Sequence, residues 1–139
     1  VKTGKDLVNK VKKREWFRPF AGTILEEDVN DWFDLRKMEQ TPFMMYAVNC
    51  KPNIKEKIPA IIHFDNTCRI QTINKEQNEN FYNLIKAFKV RTKIPILFNT
   101  SLNLAGEPLV ETLEDALNLL DNSKVEYLYL PEIKKLIIK

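Results

Sequence analysis

The stretch Pro95-Ile96-Leu97-Phe98-Asn99-Thr100-Ser101-Leu102-Asn103 decides how the rest of the chain is read. Its apolar half, too short for a helix and opened by proline, predicts a buried strand over 95–98. The strand runs directly into Asn, Thr, Ser and Asn, so hydroxyls, amides and turn N–H groups gather at a strand end. Open α/β sheets bind ligands at strand ends, and successive turn N–H groups form anion nests. An ordinary Asn/Ser-rich turn is the competing reading. No glycine-rich phosphate loop occurs in the chain, which excludes a Walker-type NTPase.

Outward from this stretch, helices and strands alternate. Phe81, Leu84, Ile85 and Phe88 recur at helical spacing and predict a helix over 79–90. On the other side, Thr112 with Asp115 three residues on is a capping box with Asp for Glu. It opens a helix that buries Ala116, Leu117, Leu119 and Leu120. Strands are expected at 127–130 and 134–138, separated by Pro131-Glu132, and also at 43–50, 58–64 and 69–73. Residues 5–14 predict a short basic helix with Leu7, Val8 and Val11 on its apolar face. Phe17, Phe20 and Ile24 are expected core anchors around a turn after it. Residues 26–40 predict a short amphipathic helix around Val29, Trp32, Phe33 and Leu35. The class is α/β or α+β around a mixed sheet.

The 139 residues suit one domain, 1–139, with a single core. A net charge of +3 is too mild for a polyanion coat, so nucleic acid is not the expected partner. Lys10, Lys12, Lys13, Arg14 and Arg18 instead focus positive charge on one segment. Cys50 and Cys68 are the only cysteines, in apolar segments without Cys-x-x-Cys spacing, and read as reduced thiols of a cytoplasmic protein. No apolar run is long enough for a membrane helix. The chain begins with Val, which suggests a fragment of something longer.

Two further segments carry chemistry. In Lys12-Lys13-Arg14-Glu15-Trp16-Phe17-Arg18-Pro19-Phe20, cations interleave with large apolar residues, a pattern that predicts Arg18 packed near the core. Guanidinium grips phosphate bidentately and lysine adds a point charge; a solvated helix end is the alternative. In His63-Phe64-Asp65-Asn66-Thr67-Cys68-Arg69-Ile70-Gln71, a turn at Asp65-Asn66 leads into a strand carrying Arg69 and Gln71 on the face opposite Ile70. His63 reads as a structural histidine and Asp65 as a turn cap or a partner for Arg69. Two such residues do not make a metal site.

Taken together, Lys12-x-Arg14-Glu15-x-Phe17-Arg18-Pro19-Phe20-Ala21, His63-x-Asp65-x-Thr67-x-Arg69-x-Gln71-Thr72 and Asn99-Thr100-Ser101-x-Asn103 resemble, in order, the C-terminal domain of NodU/CmcH-type carbamoyltransferases. Gly106-Glu107-Pro108 and Asp115-Ala116 fit the same pattern. Gly22 and Asn66 depart from it, where proline and glycine are usual, and both are read as turn positions. The resemblance implies a YrdC-like mixed twisted sheet with flanking helices. It implies binding of ATP, with Mg²⁺, and of carbamoyl phosphate, to form a carbamoyl-adenylate. An N-terminal, metal-containing Kae1-like domain, missing from this sequence, would then transfer the carbamoyl group to a hydroxyl. Lys12, Arg18, Arg69 and Ser101 take the catalytic roles by this match. Arg14, Asn99, Thr100 and Asn103 join them in holding ATP or substrate, with His63 and Asp65 in support. A basic RNA-binding module or a non-catalytic nucleotide-binding module is the alternative, and a homodimer is left open.

Overall fold

The computed structural model describes residues 4–139. In chain order its elements are α1 (Gly4–Lys12), β1 (Ala21–Leu25), a 3-10 turn (Glu26–Asp28), α2 (Val29–Trp32), β2 (Phe33–Asp34), β3 (Ala47–Cys50), β4 (Thr67–Ile73), α3 (Glu79–Thr92), β5 (Ile96–Asn99), α4 (Leu113–Asn122), β6 (Tyr127–Leu130) and β7 (Lys135–Ile138). The fold is α/β. It divides into two compact units: residues 19–100, and residues 4–18 with 101–139.

The unit of residues 19–100 is built on a mixed sheet of order β2-β3-β4-β1-β5. Between β4 and the edge strand β5 lies β1, Ala-Gly-Thr-Ile-Leu, buried at all five positions. It pairs parallel with β4 and antiparallel with β5. A strand covered on both faces needs no polar/apolar alternation, so this segment reads as a turn in sequence and is an internal strand in space. One face of the sheet takes α3, whose Ile85 packs on Leu25 and Ile73 with Phe81, Tyr82 and Leu97 around it. Asn78 caps α3 by accepting from the Phe81 N–H, and Lys93 closes it in the left-handed conformation at φ 65°. Lys89 clamps both Asp28 carboxylate oxygens at 2.7 and 2.8 Å, and the Tyr82 hydroxyl donates to Glu27 Oε1 at 2.6 Å. These bonds fix α3 to the 3-10 turn that follows β1.

The opposite face is covered by the segment predicted as a strand over 58–64. It forms turns instead, continuing those of residues 51–57, with Ile54, Ile58 and Ile61 buried. Spacings of four and three residues suit turns, and the bonds Lys57 N–H to Ile54 O and Ile61 N–H to Ile58 O close them. Gly22 is therefore not a turn residue. A Cβ built on it would lie 2.5 Å from Ile61 Cδ1 and 2.9 Å from Ile96 Cγ2, so the isoleucine layer needs glycine there. Asn66, by contrast, is a turn residue, at φ 67°. The predicted helix over 26–40 shrinks to one 3-10 turn and α2 before β2 begins. Its apolar residues Val29, Trp32, Phe33 and Leu35 are nonetheless all buried. Cys50 and Cys68 are free thiols, and burial pushes both up in pKa.

In the unit of residues 4–18 and 101–139, Thr112 and Asp115 form the expected reciprocal cap of α4, which buries Ala116, Leu119 and Leu120. The Lys139 ammonium donates to the carbonyls of Leu120, Asp121 and Ser123 at 3.1, 2.7 and 2.9 Å. It thereby satisfies the C-terminal end of α4. Strands β6 and β7 form where predicted and pair antiparallel across the turn begun by Pro131. Helix α1 departs from expectation. Leu7 is exposed and Val8 and Val11 are half-buried, while its buried residues are Asn9 and Lys12.

Candidate functional site

Each unit holds one cluster of the predicted site residues. In the first, Lys12 is the last residue of α1 and only 8% exposed. Lys13 takes the left-handed conformation at φ 52°, and the Arg14 N–H reaches back to Asn9 O at 3.0 Å. This is the bond pattern of a Schellman close. The Ala105 N–H also donates to Lys12 O at 3.2 Å, tying the helix end to the turn after Asn103. The Lys12 ammonium donates to Ser101 O, to Ser101 Oγ at 3.0 Å and to Asn103 Oδ1 at 3.3 Å. Ser101 Oγ in turn donates to Asn103 Oδ1 at 2.7 Å, and Asn103 Nδ2 donates to Glu107 O at 2.9 Å.

These three acceptors of Lys12 are neutral oxygens. Burial, and then the neighbouring Arg14 charge, hold the ammonium below the usual lysine range.

Arg18 does not pack near the core. Its side chain is half exposed and pairs with Glu15 at 3.1 Å. The flanking Trp16 and Phe17 are 79% and 64% exposed and touch edge-to-face at 6.1 Å between centroids. Phe17 is thus not a core anchor, whereas Phe20 and Ile24 are buried as expected. The apolar–basic interleaving has a different cause: residues 15–18 form turns between α1 and β1, where side chains of both kinds reach solvent. In the same unit, a groove of about 400 Å³ runs beside Glu107, Val110, Glu111, Asp115 and Asn122. Its acidic lining makes it unsuitable for a polyanion.

The second cluster lies on the sheet face shared with α3. Register places Arg69, Ala21 and Asn99 in one row across β4, β1 and β5, and Gln71 and Thr23 in the next row on the same face. Asn99 Nδ2 donates to Thr23 Oγ1 at 2.7 Å and to Gln71 Oε1 at 3.0 Å. The Thr23 hydroxyl donates to Gln71 Oε1 at 3.0 Å, and Gln71 Nε2 donates to Pro42 O at 2.9 Å. Asn99 is therefore oriented by a closed polar triad. Beside it Arg69 is exposed, with none of the described residues bonded to its guanidinium. Thr100 follows directly at the end of β5.

His63 and Asp65 support this cluster through the turn and not through Arg69. Asp65 Oδ1 accepts from the Thr67 N–H at 3.0 Å and the Thr67 hydroxyl at 2.7 Å, which holds its carboxyl below the usual range. His63 bridges this turn to β1, its Nδ1 3.0 Å from Thr67 Oγ1 and its Nε2 3.4 Å from Phe20 O. The pair thus shapes the entry to β4. Sequence reasoning passed over Thr23 and Asn9. Nothing local marks either; Gln71 alone was visible, two residues beyond Arg69.

No helix among the described residues is long and apolar enough to cross a membrane. Comparison with known proteins adds the following. The family model "Carbamoyltransferase C-terminus" matches residues 1–136. The chain is similar to nodulation protein NolNO of Sinorhizobium fredii, 43% identical over 116 residues, covering 82% of this chain and 17% of that protein. It is similar to NolO of Bradyrhizobium diazoefficiens, 44% identical over 115 residues, covering 81% of this chain and 21% of that protein. It is also similar to nodulation protein U of Rhizobium tropici, 39% identical over 102 residues, covering 73% and 17%. The chain thus spans about a fifth of the length of these relatives. With a family match over nearly its whole length, this chain belongs to the carbamoyltransferase C-terminus family.

Proposed function

We propose that this chain is the ATP- and carbamoyl-phosphate-binding part of an O-carbamoyltransferase, and that it forms a carbamoyl-adenylate. The net step converts ATP, carbamoyl phosphate and water into carbamoyl-adenylate, pyrophosphate and phosphate. A carbamate oxygen bonds to the α-phosphorus as the α–β bridging oxygen leaves with pyrophosphate. A separate N-terminal Kae1-like domain then passes the carbamoyl group to an acceptor hydroxyl, releasing AMP.

The observation that carries this reading is the desolvated Lys12 ammonium, seated on Ser101 and Asn103. Its contact to Asn103, at 3.3 Å, is the longest and the one a phosphate oxygen would replace. Within the unit of residues 19–100, Arg69, held on a strand beside the oriented Asn99, supplies a bidentate grip for phosphate. Catalysis in such a reaction is mostly positioning and offsetting of charge between polyanions. Mg²⁺ arriving on the ATP oxygens would offset further charge.

Calorimetric titration tests this. The wild-type chain should release or absorb heat with ATP–Mg²⁺ and with carbamoyl phosphate. Arg69→Ala should weaken ATP binding about tenfold or more, the scale of a charge-assisted bond, without moving the urea midpoint. A folded wild type giving no nucleotide heat refutes the reading. Salt-dependent RNA binding that ATP leaves unchanged would favour the RNA-binding alternative.

A further inference from the structure

Helix α1 is inverted relative to ordinary amphipathic helices: its two buried residues are polar, Asn9 and Lys12, while Leu7 is 63% exposed. Lys12 is bonded to Ser101 and Asn103. Asn9 is equally buried, at 8% exposure, and both its amide nitrogen and its amide oxygen lack a hydrogen-bond partner. Burying an amide with neither end satisfied is among the costlier local arrangements in a protein, and natural structures keep it where a missing group completes it.

We infer that Asn9 is a further ligand-binding residue, whose amide recognises the carbamoyl end of carbamoyl phosphate while Lys12 takes its phosphate. This rests on the function proposed above. The amide presents a donor and an acceptor in one plane, and a carbamoyl group offers the matching acceptor and donor in one plane. Residues three apart on a helix are neighbours, about 5–6 Å between their Cβ atoms. That span suits carbamoyl phosphate, in which only the bridging anhydride oxygen and the carbonyl carbon stand between phosphorus and nitrogen. Adenine also pairs bidentately with asparagine, but in ATP the base is held a ribose away from the nearest phosphate, too far for a residue one helical turn from Lys12.

The test compares carbamoyl phosphate, acetyl phosphate and inorganic phosphate by calorimetry on the full chain. Acetyl phosphate keeps the carbonyl and replaces the amino group by methyl. Wild type should bind carbamoyl phosphate at least tenfold more tightly than acetyl phosphate. Asn9→Leu should erase that preference, leave inorganic phosphate binding unchanged, and raise the melting temperature, because an unpaired buried amide is replaced by an apolar group. Asn9→Ala, folded by circular dichroism, should erase the preference likewise and serves if the leucine does not fit. Preference retained in both variants overturns the inference. So does an equal loss of all three ligands together with a lowered melting temperature, the signature of a merely structural amide. Both results leave the proposed function standing. A wild type that binds none of the three overturns that function too.

Discussion

Thr23→Val keeps the shape of a fully buried side chain and removes a single oxygen. That oxygen accepts from Asn99 Nδ2 at 2.7 Å and donates to Gln71 Oε1 at 3.0 Å. Two buried bonds at roughly 1 kcal/mol each give an expected loss of about 2 kcal/mol. The loss stops there because Asn99 Nδ2 and Gln71 Oε1 still bond each other at 3.0 Å, so neither is orphaned. At a urea slope of about 1.5 kcal/mol/M, the midpoint should fall by roughly 1 M. Thr23→Ser is the control: it keeps the hydroxyl and loses one methyl, about 1 kcal/mol. Hydrophobicity alone ranks valine as the better core residue, whereas the triad ranks serine above it. Urea melts of both variants, followed by ATP titration, decide between these rankings. ATP affinity should drop in the valine variant, where Asn99 is less firmly oriented, and hold in the serine variant. If Thr23→Val matches or exceeds Thr23→Ser in stability, the triad does not organise this face.

Gly22→Ala should cost about 1–2 kcal/mol: overpacking against Ile61 and Ile96 outweighs the usual gain from replacing a strand glycine. Adding Ile61→Val, which deletes the clashing Cδ1, should recover part of the loss, and a strictly additive double-mutant cycle would contradict the contact. Asp65 and Asp115 are both held below the usual carboxylate range, chiefly by the hydroxyls of Thr67 and Thr112. Groups shifted down in the folded state contribute fully above an ordinary aspartate pKa of about 3.9, and that contribution drains away as pH falls through the depressed values. Asp115→Asn should therefore flatten the acid limb of a stability–pH curve below about pH 4. A limb of unchanged steepness would show that the Thr112 cap is not titrating.

Elements whose signal lies within a few neighbouring residues were legible in the chain. Helix α3, the cap of α4, strands β6 and β7 and the strand at Ile96–Asn99 follow from local periodicity and turn chemistry, and structure agrees with each. The three motifs were sufficient to identify the family. What stayed hidden depended on the environment of both faces. β1 carries no alternation because the sheet covers it twice, and the isoleucines at 54, 58 and 61 make a lid of turns where a strand was expected. Arg18 shared a motif with Lys12, but only the fold could send one to solvent beside Glu15 and bury the other on Ser101.

The cationic, amide and hydroxyl residue types of the candidate site were therefore determined by sequence, since charge and hydrogen-bonding capacity belong to the side chain itself. Which of them lie together was decided by tertiary structure. Strand register, a property of pairing across long separations, brought Thr23 and Gln71 to Asn99 and set Arg69 in the adjoining row. The burial of α1's polar face did the same for Asn9 and Lys12, because which face of a helix is buried depends on what the fold packs against it.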